Sequence, residues 1–287
     1  MKSKICLITG GNSGIGKAAA IQMVQKGYTV IIGCRNEEKA LAAQNDIKNI
    51  SNKSNIDVIK VDMSLQQSIK DAVYILSRKY ENIDVIINNA ADFDLSRKSA
   101  IYSQEGIETV WATNHIGPVV LNSMLIESLK KSEQGRIINI ASQGLVLYPK
   151  LKINNEDPEF KKATYSVEKA YYQSKLAQVM YTYWLAEKLK DTDITVNCIR
   201  VTNVKIDICR YPNLSKIKKW MYSIKSKFSI TPEKMAETYV LLATDEIFRC
   251  VTGKYFNEKN VEVKSSNYSY DKNEIEKLMN TTNKYIT

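Results

Sequence analysis

The sequence predicts an α/β protein: a doubly wound domain in which a mainly parallel, seven-stranded sheet is flanked by helices. Three observations predict it. Short apolar runs alternate with longer helical stretches along the whole chain. A glycine-rich turn follows the first apolar run, Ile5-Cys6-Leu7-Ile8. No Pro/Gly-rich linker and no internal repeat divides the 287 residues. Strands covered on both faces read as continuous apolar runs, and their alternation with helices marks β-α-β units. With 44% hydrophobic residues the chain can bury one large core. The expectation is one domain over residues 1–287, with a region at about 205–230 between the sixth strand and the next helix and a C-terminal extension at about 258–287.

The first strand runs into Thr9-Gly10-Gly11-Asn12-Ser13-Gly14-Ile15-Gly16. Glycines there let the chain turn tightly and let backbone N–H groups approach a pyrophosphate at the following helix N-terminus. The spacing is G-x-x-x-G-x-G, so the commoner G-x-G-x-x-G dinucleotide rule applies by analogy. Tyr28 to Cys34 reads as the second strand and completes a β-α-β unit. A site specific for NAD places Asp or Glu at the end of that strand. This chain has Cys34 and then Arg35, whose planar guanidinium suits a 2′-phosphate. NADP(H) is therefore the expected dinucleotide, with Lys17 a candidate second cation. The third strand is Ile56 to Val61, and the seventh is Lys254-Tyr255-Phe256-Asn257. Long helices are expected over Ile107 to Lys130 and Ala170 to Lys188.

Two Tyr-x-x-x-Lys pairs occur, Tyr165 with Lys169 and Tyr171 with Lys175. Residues four apart share a helix face, so either pair has suitable geometry. Tyr165 follows the polar stretch Lys161-Lys162-Ala163-Thr164 and reads as loop, which favours Tyr171. A free phenol has a pKa near ~10, and a neighbouring ammonium favours the phenolate.

With these motifs in view the chain resembles the short-chain dehydrogenase/reductase family, from about Lys4 to the C-terminal tail. The resemblance implies a Rossmann-type domain and proton transfer coupled to hydride transfer. Asp62 and the adjoining Met63 correspond to the segment that positions the adenine. Asn88-Asn89-Ala90-Ala91 matches the family's Asn-Asn-Ala-Gly, with Ala91 in place of glycine. Asn114 matches the helix asparagine whose backbone carbonyl holds a relay water. Ser142 matches the catalytic serine, and Tyr171 and Lys175 the catalytic pair. The implied catalytic residues are Asn114, Ser142, Tyr171 and Lys175. The implied cofactor-binding residues are Gly10, Asn12, Ser13, Gly14, Ile15, Gly16, Arg35, Asp62, Met63, Asn89, Ala90, Ala91, Tyr171, Lys175 and Val204. Within the family the chain is most similar to the retinol dehydrogenase-like branch, through Gly33-Cys34-Arg35-Asn36, Tyr171 to Ala177 and Thr252-Gly253-Lys254-Tyr255-Phe256. The long interval between Ser142 and Tyr171 fits that branch. One segment departs: Arg200-Val201-Thr202-Asn203-Val204-Lys205-Ile206 lacks the usual Pro-Gly, and Ile206 stands at the usual threonine.

The resemblance implies an NADP(H)-dependent reductase or dehydrogenase of a carbonyl/alcohol substrate. A lipophilic substrate is expected from the mixed apolar and basic stretch Ile217 to Lys225 within the lid, Ile208 to Ile230, with Pro149 to Thr164 a second candidate wall. The same stretch would also suit peripheral contact with a membrane surface. The alternatives are reduction of a carbon–carbon double bond, which protochlorophyllide reductases of similar pattern allow, and a non-catalytic NADP(H)-binding sensor or scaffold. The family's homodimers and homotetramers form through the long helices, and a monomer also fits this branch.

Composition narrows the remaining classes. No apolar run approaches the ~20 residues of a membrane span. The first strand begins within a few residues of Met1, leaving no room for a signal peptide, so a soluble cytoplasmic protein is expected. Five cysteines without C-x-x-C spacing fit a reducing compartment, and the single histidine, His115, has no metal-ligand cluster beside it. No metal is expected. The net charge of +10 comes from lysines scattered through the chain rather than from a basic stripe interleaved with aromatics. No nucleic-acid partner is expected.

Overall fold

The computed structural model describes residues 3–205 and 229–286. Ile206, Cys209 and nearly all of the expected lid, including Ile217 to Lys225, lie outside the described residues. The strands are β1 (Ile5–Thr9), β2 (Thr29–Cys34), β3 (Ile56–Lys60), β4 (Val85–Asn88), β5 (Arg136–Ser142), β6 (Thr195–Val201) and β7 (Lys254–Phe256). They form one sheet in the order β3-β2-β1-β4-β5-β6-β7. Every pairing is parallel, so the sheet is purely rather than mainly so.

The chain order reverses direction between β1 and β4. In open parallel sheets, ligands bind outside the carboxyl ends of the strands at that crevice. Helices α1 (Gly14–Gln25) and α2 (Glu37–Ser51) cover one face. Asn36 caps α2 by accepting from the Lys39 N–H at 2.8 Å, and Glu37 and Glu38 complement its positive end. Helices α3 (Gln66–Lys79), α5 (Gly117–Lys130) and α6 (Val167–Lys188) cover the other face, with the short α4 (Thr109–Trp111) leading into α5. Two cores result. Ile8, Met23, Ile32, Ile47 and Tyr239 anchor one; Leu7, Ile31, Trp111, Met180 and Tyr181 anchor the other. Helix α7 (Pro232–Thr244) joins the first core. The C-terminal helix α8 (Lys272–Asn283) joins the second, burying Ile275, Leu278 and Met279 against α6.

Two boundaries differ from the sequence reading. α6 begins at Val167, because Ser166 caps it by accepting from the Lys169 N–H. The expected helix Ile107 to Lys130 is interrupted by a π-turn at Ala112–Ile116, closed by the Gly117 N–H bonding to the Ala112 carbonyl. The stretch from Pro149 to Thr164 has no regular helix or strand. It is fixed by the Asp157 carboxylate, which accepts N–H groups of Lys161, Lys162 and Ala163 at 2.7–3.1 Å. Gln173 of α6 bonds it as well, donating to the Pro158 carbonyl at 2.9 Å.

Candidate active site

The glycine turn sits at the reversal of strand order. Gly10 and Gly14 have φ of 65° and 57°, in the left-handed region that favours glycine. A Cβ on Gly10 would lie 2.9 Å from the Ala90 Cα, and one on Gly16 would lie 2.5 Å from the Gly10 carbonyl oxygen. The turn is strapped from below: Asn89 Nδ2 donates to the Thr9 and Gly10 carbonyls at 3.0 and 3.2 Å, and the Ala90 N–H donates to Thr9 Oγ1 at 3.0 Å. Asn89 and Ala90 thus shape the cradle, and the Asn89 amide is committed to it. At α1, Ser13 makes no side-chain cap and no acid stands in the first turn. The positive end of α1 is left to an anion. Gly10, Asn12, Ser13, Gly14, Ile15 and Gly16 thus form a tight turn leading into the uncapped N-terminus of α1.

Past β2, Cys34 is buried, with the Asn12 and Gly11 N–H groups directed at its sulfur; burial pushes the thiol up to about 11. Arg35 is exposed and forms no ion pair among the described residues. Lys17, the candidate second cation, is instead bound to Asp46 of α2 at 2.5 Å. Asp62 follows β3, and its Oδ1 accepts from the Ser64 N–H and hydroxyl at 2.9 and 2.7 Å. Met63 is buried beside it, whereas Ala91 is exposed beyond the strap. Val204 pairs with Ile230 in an isolated bridge.

Three elements carry the remaining residues: β5, α6 and the π-turn. Ser142 ends β5, where its Oγ accepts the Gly144 N–H at 3.2 Å. Tyr171 and Lys175 lie one turn apart on α6. Lys175 is 2% exposed, and its Nζ donates to the Ile140 carbonyl at 2.8 Å and lies 5.6 Å from the Tyr171 ring centroid. Burial lowers the ammonium to about 8. Asn114 is fixed in the π-turn: its Oδ1 accepts the Asp92 N–H at 2.7 Å, and its Nδ2 donates to the Asp92 carbonyl and Ser174 Oγ at 3.1 and 3.0 Å. The side chain locks the loop after β4 onto α6. π-turns recur at functional sites.

Tyr165 is excluded from this cluster. Its hydroxyl donates to Glu108 Oε1 at 2.9 Å, and burial raises it above the ordinary phenol value. The second Tyr-x-x-x-Lys pair is the one whose lysine reaches β5, at the Ile140 carbonyl two residues before Ser142.

Sequence reading missed Phe93. Its ring stacks on Tyr171 with centroids 4.0 Å apart and planes at 21°. Tyr172 and Tyr148 extend the aromatic wall, with centroids 4.6 Å apart. An ion pair between Arg97 and Asp92, at 2.9 and 3.1 Å, holds the loop that carries Phe93. The available signal was an aromatic set between Asp92 and Asp94, directly after Asn-Asn-Ala-Ala.

The short chain dehydrogenase family profile matches residues 4–151, just over half of the chain. The chain belongs to the short-chain dehydrogenase family. Its retinol dehydrogenase-like branch is shown by relatives along most of the sequence. Human retinol dehydrogenase 13 is 29% identical over 257 residues, covering 88% of this chain and 76% of its own length. Mouse retinol dehydrogenase 11 is 30% identical over 260 residues, covering 90% and 78%. Short-chain dehydrogenase TIC 32 B, chloroplastic, of Brassica napus is 30% identical over 304 residues, covering 99% and 89%. Among solved structures, L-sorbose reductase from Gluconobacter frateurii, complexed with NADPH and L-sorbose, superposes with a TM-score of 0.70 at 20% identity, covering 93% and 97%. This short-chain dehydrogenase is an oxidoreductase of alcohol and carbonyl groups that uses a nicotinamide cofactor. Among the described residues, no helix is long and apolar enough to cross a membrane.

Proposed function

We propose that the chain is an NADP(H)-dependent carbonyl reductase or alcohol dehydrogenase acting on a lipophilic substrate. The carrying observation is the buried Lys175, one turn from Tyr171 on α6 and bonded to the Ile140 carbonyl two residues before Ser142, with Asn114 tied to the same helix through Ser174. The cradle fits the cofactor: it has room only for glycine at Gly10 and Gly16, and its helix end is uncapped. Gly10 to Gly16 would hold the pyrophosphate, Asp62 and Met63 the adenine side, and Lys175 the nicotinamide ribose, with Ala91 and Val204 flanking the nicotinamide. Arg35, exposed and without an ion pair among the described residues, suits a 2′-phosphate.

When bound, the nicotinamide supplies or accepts a hydride. Ser142 donates a hydrogen bond to the substrate oxygen and stabilises charge as it develops there. Tyr171 gives or takes the proton at that oxygen, and the Lys175 ammonium favours negative charge on the phenol oxygen. Asn114 anchors the far end of the proton path beside Ser174 and Tyr171. Phe93, Tyr172 and Tyr148 provide an apolar wall, and Val146 and Leu147, beyond Ser142, are 59% and 77% exposed.

Tyr171→Phe is expected to abolish reduction of aldehydes and ketones while leaving NADPH binding, followed by fluorescence titration, nearly intact. Tight NADPH binding by the wild type with no turnover of any carbonyl would refute the reductase reading. Arg35→Asp is expected to weaken NADPH by about ten- to a hundred-fold and to improve NADH, since charge-assisted hydrogen bonds contribute ~1.5–3 kcal/mol. An unchanged NADPH/NADH ratio would remove Arg35 from cofactor selection.

A further inference from the structure

Tyr172 follows Tyr171 in the second turn of α6, and its ring reaches the element that carries Ser142. Beyond β5 the chain winds through one 3-10 turn, Gln143–Leu147, which Ser142 caps by accepting the Gly144 N–H at 3.2 Å. Gly144 has no positive φ, so its backbone conformation suits other residues as well. What stands in the way of a side chain there is Tyr172. A Cβ on Gly144 would collide with Cε1, Cζ and the hydroxyl oxygen of that ring, its three nearest neighbours. The ring has no easy retreat. Tyr148, directly after the turn, lies with its centroid 4.6 Å away, and the Tyr171 ring packs edge-on at 5.3 Å. The turn thus bends around Tyr172 and touches it near both ends.

Little else fixes this turn. None of its five residues is buried. Leu145 packs against the cores, and Thr202 donates to Gln143 Oε1. A serine hydroxyl has one proton to donate and two lone pairs. The Gly144 N–H occupies a lone pair of Ser142 and leaves the proton for another acceptor. Where that proton points follows from where Gly144 sits, and Gly144 rests on a ring carried by α6. Tyr171 is the neighbouring residue on the same helix. Two groups that must meet at one substrate oxygen therefore have their spacing set by the side chain between them.

We propose that Tyr172 is a positioning residue for the reaction: its ring places the Gly144 N–H, and through it aims the Ser142 hydroxyl at the oxygen where Tyr171 gives or takes the proton. This inference rests on the oxidoreductase reading of Ser142 and Tyr171. It gives the adjacent tyrosines separate tasks. One touches the reacting oxygen, and the other holds the serine that shares it.

The test is single-turnover NADPH oxidation with a panel of straight-chain and aromatic aldehydes, beside NADPH affinity from fluorescence titration. Tyr172→Ala is expected to slow the hydride step by about ten- to a hundred-fold, the upper figure being the cost of a ~1 Å misplacement, with NADPH affinity unchanged. Tyr172→Phe, which keeps the ring on Gly144, is expected to restore most of the rate. Gly144→Ala, which keeps the ring but displaces the turn, is expected to slow the step to a similar degree and serves if Tyr172→Ala does not fold. The deciding comparison is made in Ser142→Ala. With no hydroxyl left to aim, Tyr172→Ala or Gly144→Ala should cost less than about two-fold further in that background. A full additional loss there would assign Tyr172 to the apolar wall or to folding, and overturns the positioning role. A wild-type rate in Tyr172→Ala or in Gly144→Ala overturns it too. Each of these results leaves the oxidoreductase reading standing. No turnover of any aldehyde by wild type, or an undiminished rate in Ser142→Ala, refutes that reading and the positioning role with it.

Discussion

Lys175 and His115 are each held away from water in a form that resists a proton. Lys175 falls from 10.5 to about 8 because burial disfavours its charge. Between those values the unfolded chain binds a proton that the folded chain does not, so stability rises with pH from about 8 to 10.5. Below pH 8 the ammonium is present and its burial costs about 3 kcal/mol. Lys175→Met is therefore expected to raise unfolding stability at pH 7 by about 1–3 kcal/mol while abolishing turnover, with the gain shrinking as pH climbs past 8. Denaturant unfolding at pH 7 and pH 10 checks this; equal or lower stability of Lys175→Met at pH 7 would contradict it. The same ionisation predicts that wild-type kcat/KM declines as pH rises through about 8. His115, completely buried, is lowered to about 3, with Nε2 2.8 Å from Thr282 Oγ1 and Nδ1 3.3 Å from Gln178 Nε2. Its folded value also lies below the unfolded one, so stability is lost as pH falls from about 6.5 towards 3. His115→Asn is expected to flatten that acid limb, measured as urea midpoint against pH.

At the scale of elements, the parts fixed by local chemistry were legible and those fixed by distant contacts were not. The glycine turn could be read because Gly10 and Gly16 answer to neighbours that every such turn has. Tyr171 could be separated from Tyr165 because the polar approach to Tyr165 was itself visible. The π-turn could not be read, since Val110, Trp111 and Ile116 suit an α-helix as well as a π-turn. Nor could the work of the Asn114 side chain, which depends on Asp92 across a loop, or the stacking of Phe93 on a ring from another element. The pairing of Lys17 could not be read for the same reason: its partner Asp46 belongs to the next helix. Gly16→Ala tests the legible part. It forces a Cβ to within 2.5 Å of the Gly10 carbonyl oxygen. NADPH affinity is expected to drop at least about ten-fold, with a stability loss of about 1–3 kcal/mol from overpacking. Wild-type affinity in the Gly16→Ala enzyme would show that the cradle is looser than its geometry.

For the whole molecule, the C-terminal extension is packed into the second core beside α6. α8 packs along α6, Thr282 bonds His115 beside Asn114, and Tyr285 donates to Glu159 at 3.0 Å. A second copy packing on α6, as the family's dimers would require, meets α8 first. The expected state is a monomer by light scattering at micromolar concentration, and a stable dimer would show that α5 alone, or a displaced α8, makes an interface. The net charge of +10 acts over the same scale. It favours approach of an anionic cofactor, so the KM for NADPH is expected to rise with ionic strength as the Debye length falls below ~10 Å.

The π-turn at Ala112–Ile116 carries one residue more than a regular helix needs. Deleting His115 or Ile116 would let the segment from Thr109 to Lys130 wind into an unbroken α-helix with better-formed hydrogen bonds. It would also swing Asn114 by ~100° relative to α5, away from Asp92 and Ser174. The chain thus keeps a less regular helix because the regular one would be out of phase with the chemistry. Here the number of residues matters as much as their identity: a shorter, smoother helix would fold well and have its amide aimed at nothing.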